Sequence, residues 1–365
     1  MKIECSKEKI STAVRKVEKI AQKHQTLPVL SCILFIAEKG ILTLRATNLE
    51  VGIEVKVPVK MEKEGTCAIP AQIFSSCISG INGDKISLEL VDGVVSLSST
   101  DGDFKIKTFP HEDFPNIPLV SEDSVFSIQT KDLIEGIKSV SYSAAISSMK
   151  PELSSVYIYS DNIQIYFVAT DSFRLAEKKI PLKKKIPLPA ILIPFKNAGE
   201  VVRVFEAQNE EVECHVGKNQ ISFITEDTHL TSRVVNGVFP DYKQIIPKES
   251  TTEVVVLKDD LVKTLRLTTL FSDKFNQVRL IASPKKNDFE IVSKNSDTGE
   301  AKQSMKATMF GEESSIGFNH RYIVDGLQSI DVESVSLAFA GPQRPMVVRG
   351  ASDPSFTYIV MPMNR

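Results

Sequence analysis

One short pattern recurs six times along this chain, and it constrains the fold more than any other feature. A run of β-forming residues stops at a polar or proline position, and a segment with helical apolar spacing follows. The strand runs over 2–5, 67–69, 125–128, 191–193, 254–257 and 315–318 precede helices predicted over 6–23, 70–78, 130–140, 194–205, 258–270 and 319–330. The strand ends at 5, 69, 128, 193, 257 and 318 recur at a period of roughly 60 residues, long enough for one helix and several strands. Ser6, Thr130 and Asn319 are N-cap types, and Pro70 and Pro194 suit a first helical turn. The alternative is a generic α+β chain with coincidental spacing, and six copies argue against it.

Between the helices the sequence alternates as strands do. Segments 41–47, 86–90 and 94–98 are bounded by turn pairs such as Asp92-Gly93 and Asp101-Gly102. In the middle third, 156–159 and 163–169 flank Ser160-Asp161-Asn162, and 278–281 and 289–292 play the same part in the last third. Two repeats make about 120 residues, a size at which a single core closes. A second repeat marks the domain ends: Phe114-Pro115-Asn116-Ile117-Pro118, and Phe239-Pro240-Asp241-Tyr242 continuing to Pro247. Proline-bounded extended segments suit links between domains. The domains expected are 1–121, 122–247 and 248–365.

Several chemistries are not written here. There is no GxGxxG or GxxxxGK[ST] phosphate cradle, no HExxH and no GxSxG elbow. The histidines lack metal-ligand spacing, so neither a metal nor a cofactor is expected. Asp259-Asp260 open a predicted helix, where the dipole accounts for them. The most loaded cluster, Thr170-Asp171-Ser172-Phe173-Arg174-Leu175, lies at a strand end; Asp171 there reads as a turn cap, not as a catalytic acid. Five cysteines (Cys5, Cys32, Cys67, Cys77, Cys214) lack paired spacing and read as buried hydrophobes in a reducing compartment. Cys214 and His215 would point to opposite faces of a strand. No signal-peptide pattern or membrane-spanning run is seen, so a cytoplasmic protein is expected.

The strings at 169–176 (ATDSFRLA), 25–30 (QTLPVL), 239–242 (FPDY) and 358–363 (YIVMPM) resemble segments of the bacterial DNA polymerase III beta subunits, the sliding clamps. They lie in all three thirds. The resemblance implies an α+β fold of three tandem clamp domains, each of two strand-helix-strands units, with six helices per chain lining a ring and antiparallel sheets outside. It implies a non-enzymatic homodimer that encircles duplex DNA without reading sequence. Its partners would be the replicative polymerase catalytic subunit, clamp-loader subunits and other proteins carrying clamp-binding peptides.

Charge bears on that expectation. The whole chain carries 44 Lys+Arg against 46 Asp+Glu, a formal net charge of -2, so bulk positive charge cannot hold nucleic acid. Counted over 6–23, 71–80, 131–141, 196–207, 258–270 and 320–329, the helical segments hold 14 basic and 9 acidic residues, which leaves the acidic excess elsewhere. The first helix supplies most of this through Lys7, Lys9, Arg15, Lys16, Lys19 and Lys23. By family position the DNA contacts would be Lys23, His24, Lys150 (in the Ser147-Ser148-Met149-Lys150 loop) and Lys196. His24 stands where the family often has Arg, which makes that contact weaker or pH-dependent. The run Lys183-Lys184-Lys185 reads as a soluble loop.

The resemblance also implies one apolar groove for short linear peptides, between the second and third domains. It would use Leu153, Thr170, Ser172, Phe173, Arg174, Leu175, Pro240, Gln244, Ile245, Pro345, Met346, Ile359, Val360, Met361, Pro362 and Met363. Leu, Pro and Met side chains adapt to unrelated ligands. Ser172, Phe173 and Gln244 depart from the family's familiar Gly, His and Arg, which would alter peptide preference. Read alone, 358–361 is also a buried terminal strand, which explains the apolar run but not the Met-Pro-Met ending. Ring closure would bring Phe104 and Ile106 of one subunit to Leu270 and Phe271 of the other, although both pairs also suit an intradomain core. The rival functions are an open monomeric peptide-binding scaffold and a hydrolase; the second lacks any nucleophile–base pair or metal cluster.

Overall fold

A computed structural model describes residues 1–117, 120, 124–147, 149–161, 163–182, 185 and 188–363. Pro118, Ser148, Asn162, Lys183, Lys184 and the boundary at 121–122 lie outside the described residues. Among the described residues there are six α-helices: α1 (Lys7–Val17), α2 (Ala71–Gly80), α3 (Thr130–Ser141), α4 (Phe195–Phe205), α5 (Lys258–Thr268) and α6 (His320–Leu327). Each begins directly after a strand, as the sixfold pattern requires. The amphipathic spacing does its expected work: α1 buries Ile10, Ala13, Val14 and Val17, and α5 buries Leu261 and Leu265. Burying one such Leu or Ile contributes about 1.5–3 kcal/mol.

Helix ends differ from the expected ones. α1 stops at Val17, six residues early, and Ile20 is buried from a turn in which the Ala21 N–H reaches the carbonyls of Val17 and Glu18. Ser6 and Asn319 do cap, accepting from the Lys9 and Arg321 amides. Thr130 does not: its hydroxyl donates to the Gln208 carbonyl and accepts from the Glu210 amide. Pro70 and Pro194 each end a strand and so precede their helices.

Contacts group the chain into two compact units, Met1–Leu133 with Gly199–Val234, and Ile134–Ala198 with Val235–Arg365. The first unit holds a five-stranded and an eight-stranded antiparallel sheet. In the larger sheet, strand Val51–Pro58 pairs with Thr228–Arg233, setting Gly52 opposite Thr231. The second unit holds a nine-stranded and a four-stranded sheet. In the nine-stranded sheet, Arg174–Pro181 pairs with Asp353–Val360, setting Leu175 opposite Ile359. Each large sheet therefore joins strands from two different thirds of the sequence.

A hydrogen-bond motif repeats once per third and shows that the repeat reaches atomic detail. The first residue of the first helix donates its backbone N–H to a carbonyl beyond the second helix: Lys7 to Asp84, Thr130 to Glu210, Lys258 to Glu333. The same residue's side chain donates a second bond to Ile81, Gln208 and Ile330 respectively. A lysine at a helix N-terminus opposes the helix dipole. Lys7 and Lys258 are explained because each ammonium satisfies a carbonyl just past the neighbouring helix, at 2.5 and 2.6 Å.

All five cysteines are free; Cys5, Cys32, Cys67 and Cys214 are buried and Cys77 is half-buried. Burial pushes the thiols of Cys5 and Cys67 up to about 12, away from the reactive thiolate. An Ellman titration at pH 8 should therefore show one promptly reacting thiol, Cys77, and release four more only in denaturant. Two or more fast thiols would contradict the packing.

Candidate functional site

The loaded cluster at 170–175 folds as a tightly bonded turn at the end of strand Gln164–Thr170. Thr170 Oγ1 donates to the Arg174 carbonyl at 2.6 Å and accepts from the Ser172 amide. Asp171 Oδ1 accepts from the amides of Phe173 and Arg174, the capping role expected of it. Ser172 adopts φ +77°, a left-handed conformation that glycine takes most easily. Phe173 is held out at 61% exposure, and its carbonyl accepts from the Met361 amide at 2.9 Å. The C-terminal segment is thereby fastened along the turn, with Met363 continuing to the Gly317 carbonyl.

Around this turn the expected groove residues sort by depth. Leu153, Thr170, Leu175, Pro345, Met346, Ile359 and Val360 are buried; Arg174, Met361, Pro362 and Met363 are half-buried; Ser172, Phe173, Pro240, Gln244 and Ile245 are exposed. Leu175 and Ile359 pack with Val168, Leu192, Phe239 and Tyr242, so the FPDY link is seated on them. The Tyr242 hydroxyl donates to the buried Glu177 carboxylate at 2.5 Å and bonds Tyr159 at 2.7 Å. Burial and that carboxylate push the Tyr242 phenol up, so it remains a donor. Tyr157 stacks on Phe239 at 4.6 Å, and Lys243 lies over the Tyr159 and Tyr166 rings. This aromatic bed fixes the segment that presents Pro240, Gln244 and Ile245. Gln244 donates to Asp241 at 2.7 Å.

Arg174 is more committed than its sequence position suggests. Its guanidinium donates to Asp171 (2.9 Å), to Asp325 of α6 (2.5 Å) and to the Tyr142 carbonyl just past α3 (2.6 Å), and it lies 4.7 Å over the Tyr322 ring. Tyr142, Tyr322 and Asp325 were missed by sequence reasoning. They lie up to 151 positions from Arg174 with no local signal linking them; Tyr322 stands in the first turn of α6, three residues after the cap Asn319, where it passes for an ordinary helix residue.

The basic residues divide into two groups. Lys23, His24, Lys150 and Lys196 are all exposed, His24 with Nδ1 3.2 Å from Thr26 Oγ1. Lys23 lies beyond the end of α1, and Lys196 is the second residue of α4. Several others counted with them serve the fold. Lys16 pairs with Asp227 (3.2 Å) and Thr228, and Arg203 donates to the Arg15 and Lys16 carbonyls at the end of α1. With Lys7 and Lys258 also bonded to carbonyls, the basic surplus of the helices narrows, and around α1 it rests on the exposed Lys9 and Arg15, with Lys19 just past the helix end.

The expected subunit contact is altered in one residue. Phe104 is 37% exposed and Leu270 71% exposed, with Phe271 half-buried, but Ile106 is 4% exposed. Ile106 sits opposite Val95 within its sheet, with α2 close to its strand, so it belongs to its own core. Among the described residues no group of acidic, His or Cys side chains could hold a metal ion, and no helix is long and apolar enough to cross a membrane.

Over its whole length the chain matches the DNA polymerase III beta subunit: the N-terminal domain over residues 1–118, the central domain over 127–241 and the C-terminal domain over 243–364. It is 27% identical over 366 residues to the beta sliding clamp of Escherichia coli K12, covering 100% of both chains. To that of Synechococcus elongatus it is 26% identical over 371 residues, covering 100% of this chain and 99% of the other. Among solved structures, the beta subunit from Thermotoga maritima aligns with a TM-score of 0.95 at 25% identity, over 100% and 99% of the two chains. A Pseudomonas aeruginosa sliding clamp bound to griselimycin also aligns at 0.95, with 26% identity and full coverage of both. Three domains matched in order, six helices and the repeated strand-helix junctions agree, and the chain belongs to the DNA polymerase III beta subunit family, the sliding clamps.

Proposed function

We propose that this chain closes as a head-to-tail homodimer of three-domain subunits, bounded at 1–121, 122–247 and 248–365, around duplex DNA in the cytoplasm. It is a DNA sliding clamp and not an enzyme: it tethers the replicative polymerase and other DNA-metabolism proteins. The match of all three family domains, in order, to one chain carries this reading. Lys23, His24, Lys150 and Lys196 face the DNA, where phosphate contacts carry no sequence information and weak ones permit sliding. Phe104 meets Leu270 and Phe271 of the second subunit. Partner peptides enter the groove of Leu153, Thr170, Ser172, Phe173, Arg174, Leu175, Pro240, Gln244, Ile245, Pro345, Met346 and residues 359–363.

The exposed Phe173 and Ile245 support the groove assignment, because apolar side chains held out beside a buried apolar floor suit a peptide partner. Loading onto nicked circular DNA, followed by linearisation, tests the ring. The clamp should stay bound to the circle and leave once ends are cut; retention on linear DNA would overturn topological binding.

A further inference from the structure

The turn that builds the groove has a twin in the first third of the chain. Thr47 Oγ1 donates to the Val51 carbonyl at 3.0 Å and accepts from the Leu49 amide. Asn48 Oδ1 accepts from the amides of Glu50 and Val51, and Leu49 adopts φ +73°. These are the bonds made by Thr170, Asp171 and Ser172, residue for residue. The repeat extends to the walls. The Phe114-Pro115-Asn116 link corresponds to Phe239-Pro240-Asp241, and strand Thr228–Arg233 meets Val51–Pro58 as Asp353–Val360 meets Arg174–Pro181.

Between these elements lies a cavity of about 280 Å³, lined by the 47–52 turn, Pro115–Ile117, Gln220, Thr231 and Arg233. By strand register, Gly52 and Thr231 stand where the groove has Leu175 and Ile359. Gln220 and Arg233 pair across their strands, just as the groove's Pro345 and Met361 flank the paired Met346 and Val360. Gly52 lets Ile117 close in as one wall of the cavity: a Cβ there would stand 2.8 Å from the Ile117 side chain. In the groove the corresponding pair, Leu175 and Tyr242, packs together in the core.

We infer that this cavity is a second partner pocket, polar where the groove is apolar, and that it takes an extended peptide segment carrying a carboxamide side chain, Gln or Asn. The inference rests on the groove reading for its peptide geometry, and on the lining for its chemistry. An apolar side chain would cover the Gln220 carboxamide without offering it a bond, which is unfavourable; Thr231 is already satisfied by Ser222 and His229. An anion would meet Glu50, and a cation would meet Arg233, since the two pair at 3.1 Å across the rim. A neutral group with one donor and one acceptor matches both, and the exposed Leu49 covers its aliphatic stem.

The test uses the full chain with labelled Ile, Leu, Val and Met methyls and four capped tripeptides, acetyl-Ala-X-Ala-N-methylamide with X as Gln, Leu, Glu or Lys, so that only the Gln peptide carries a primary carboxamide. The Gln peptide should shift the Leu49, Val51 and Ile117 methyls saturably, and Gln220→Leu should weaken it roughly tenfold while the remaining spectrum is unchanged. The other three peptides should bind there more weakly. No response at those methyls, or an equal response to the Leu peptide, would overturn the inference. Responses of Ile245 and Met361 to the Leu peptide report separately on the groove, so the two readings fail independently.

Discussion

Replacing Arg174 with alanine should loosen the C-terminal half of the chain and the partner groove together. The change deletes three charge-assisted bonds and leaves the Asp325 carboxylate and the Tyr142 carbonyl without their donor. Breaking one side of such a half-buried network costs about 1.5–3 kcal/mol, the range for hydrogen bonds to a charged group. Because a chain of several domains need not unfold in one step, the measurement should be local. Amide exchange in α6 and at the end of α3 should speed up by at least about tenfold, whereas α1 and α2 keep their protection. Arg174→Lys should not restore it, since the three acceptors are reached from three separate guanidinium nitrogens and an ammonium offers its three donors from one. Unchanged exchange in α6 would mean that the guanidinium is dispensable to the joint.

The second large effect is on assembly. Phe104→Arg combined with Leu270→Ala should convert a dimer into monomers at micromolar concentration, because a buried aromatic anchor at an interface is worth about 2–4 kcal/mol. Sedimentation velocity reads this directly, and a double variant that still runs as a dimer would refute the contact. Ile106→Val offers a contrast. That side chain belongs to its own core, so stability should fall by about 0.5–1.5 kcal/mol with the dimer retained.

The helix starts were legible because the change from strand to helical periodicity is a local event that neighbouring residues record. The ends were not: nothing in residues 18–23 breaks a helix, and α1 stops where Ile20 finds burial in a turn. The site was legible in its strings, 169–176 and 358–363, because they are contiguous. What held them was not, since Arg174 depends on Asp325, 151 positions away. Charge misled for a related reason. Lys7, Lys16 and Lys258 read as surface cations, yet tertiary structure turns each toward an oxygen of its own chain. Near-neutral composition thus coexists with an uneven surface, and the basic share free to meet DNA is smaller than the count over the helices.

The two long sheets also set a timetable for synthesis. Strand Val51–Pro58 finds its outer partner only in Thr228–Arg233, roughly 175 residues later, which at about 5–20 residues per second is on the order of 10–35 s of translation. Throughout that interval the nascent strand presents an open edge, the kind that recruits other chains. Glu54, Lys56 and Pro58 lie along it: two charges, and a proline that lacks an amide to donate. Those residues, ordinary in the finished molecule, would then guard the half-made one against its own neighbours on the polysome.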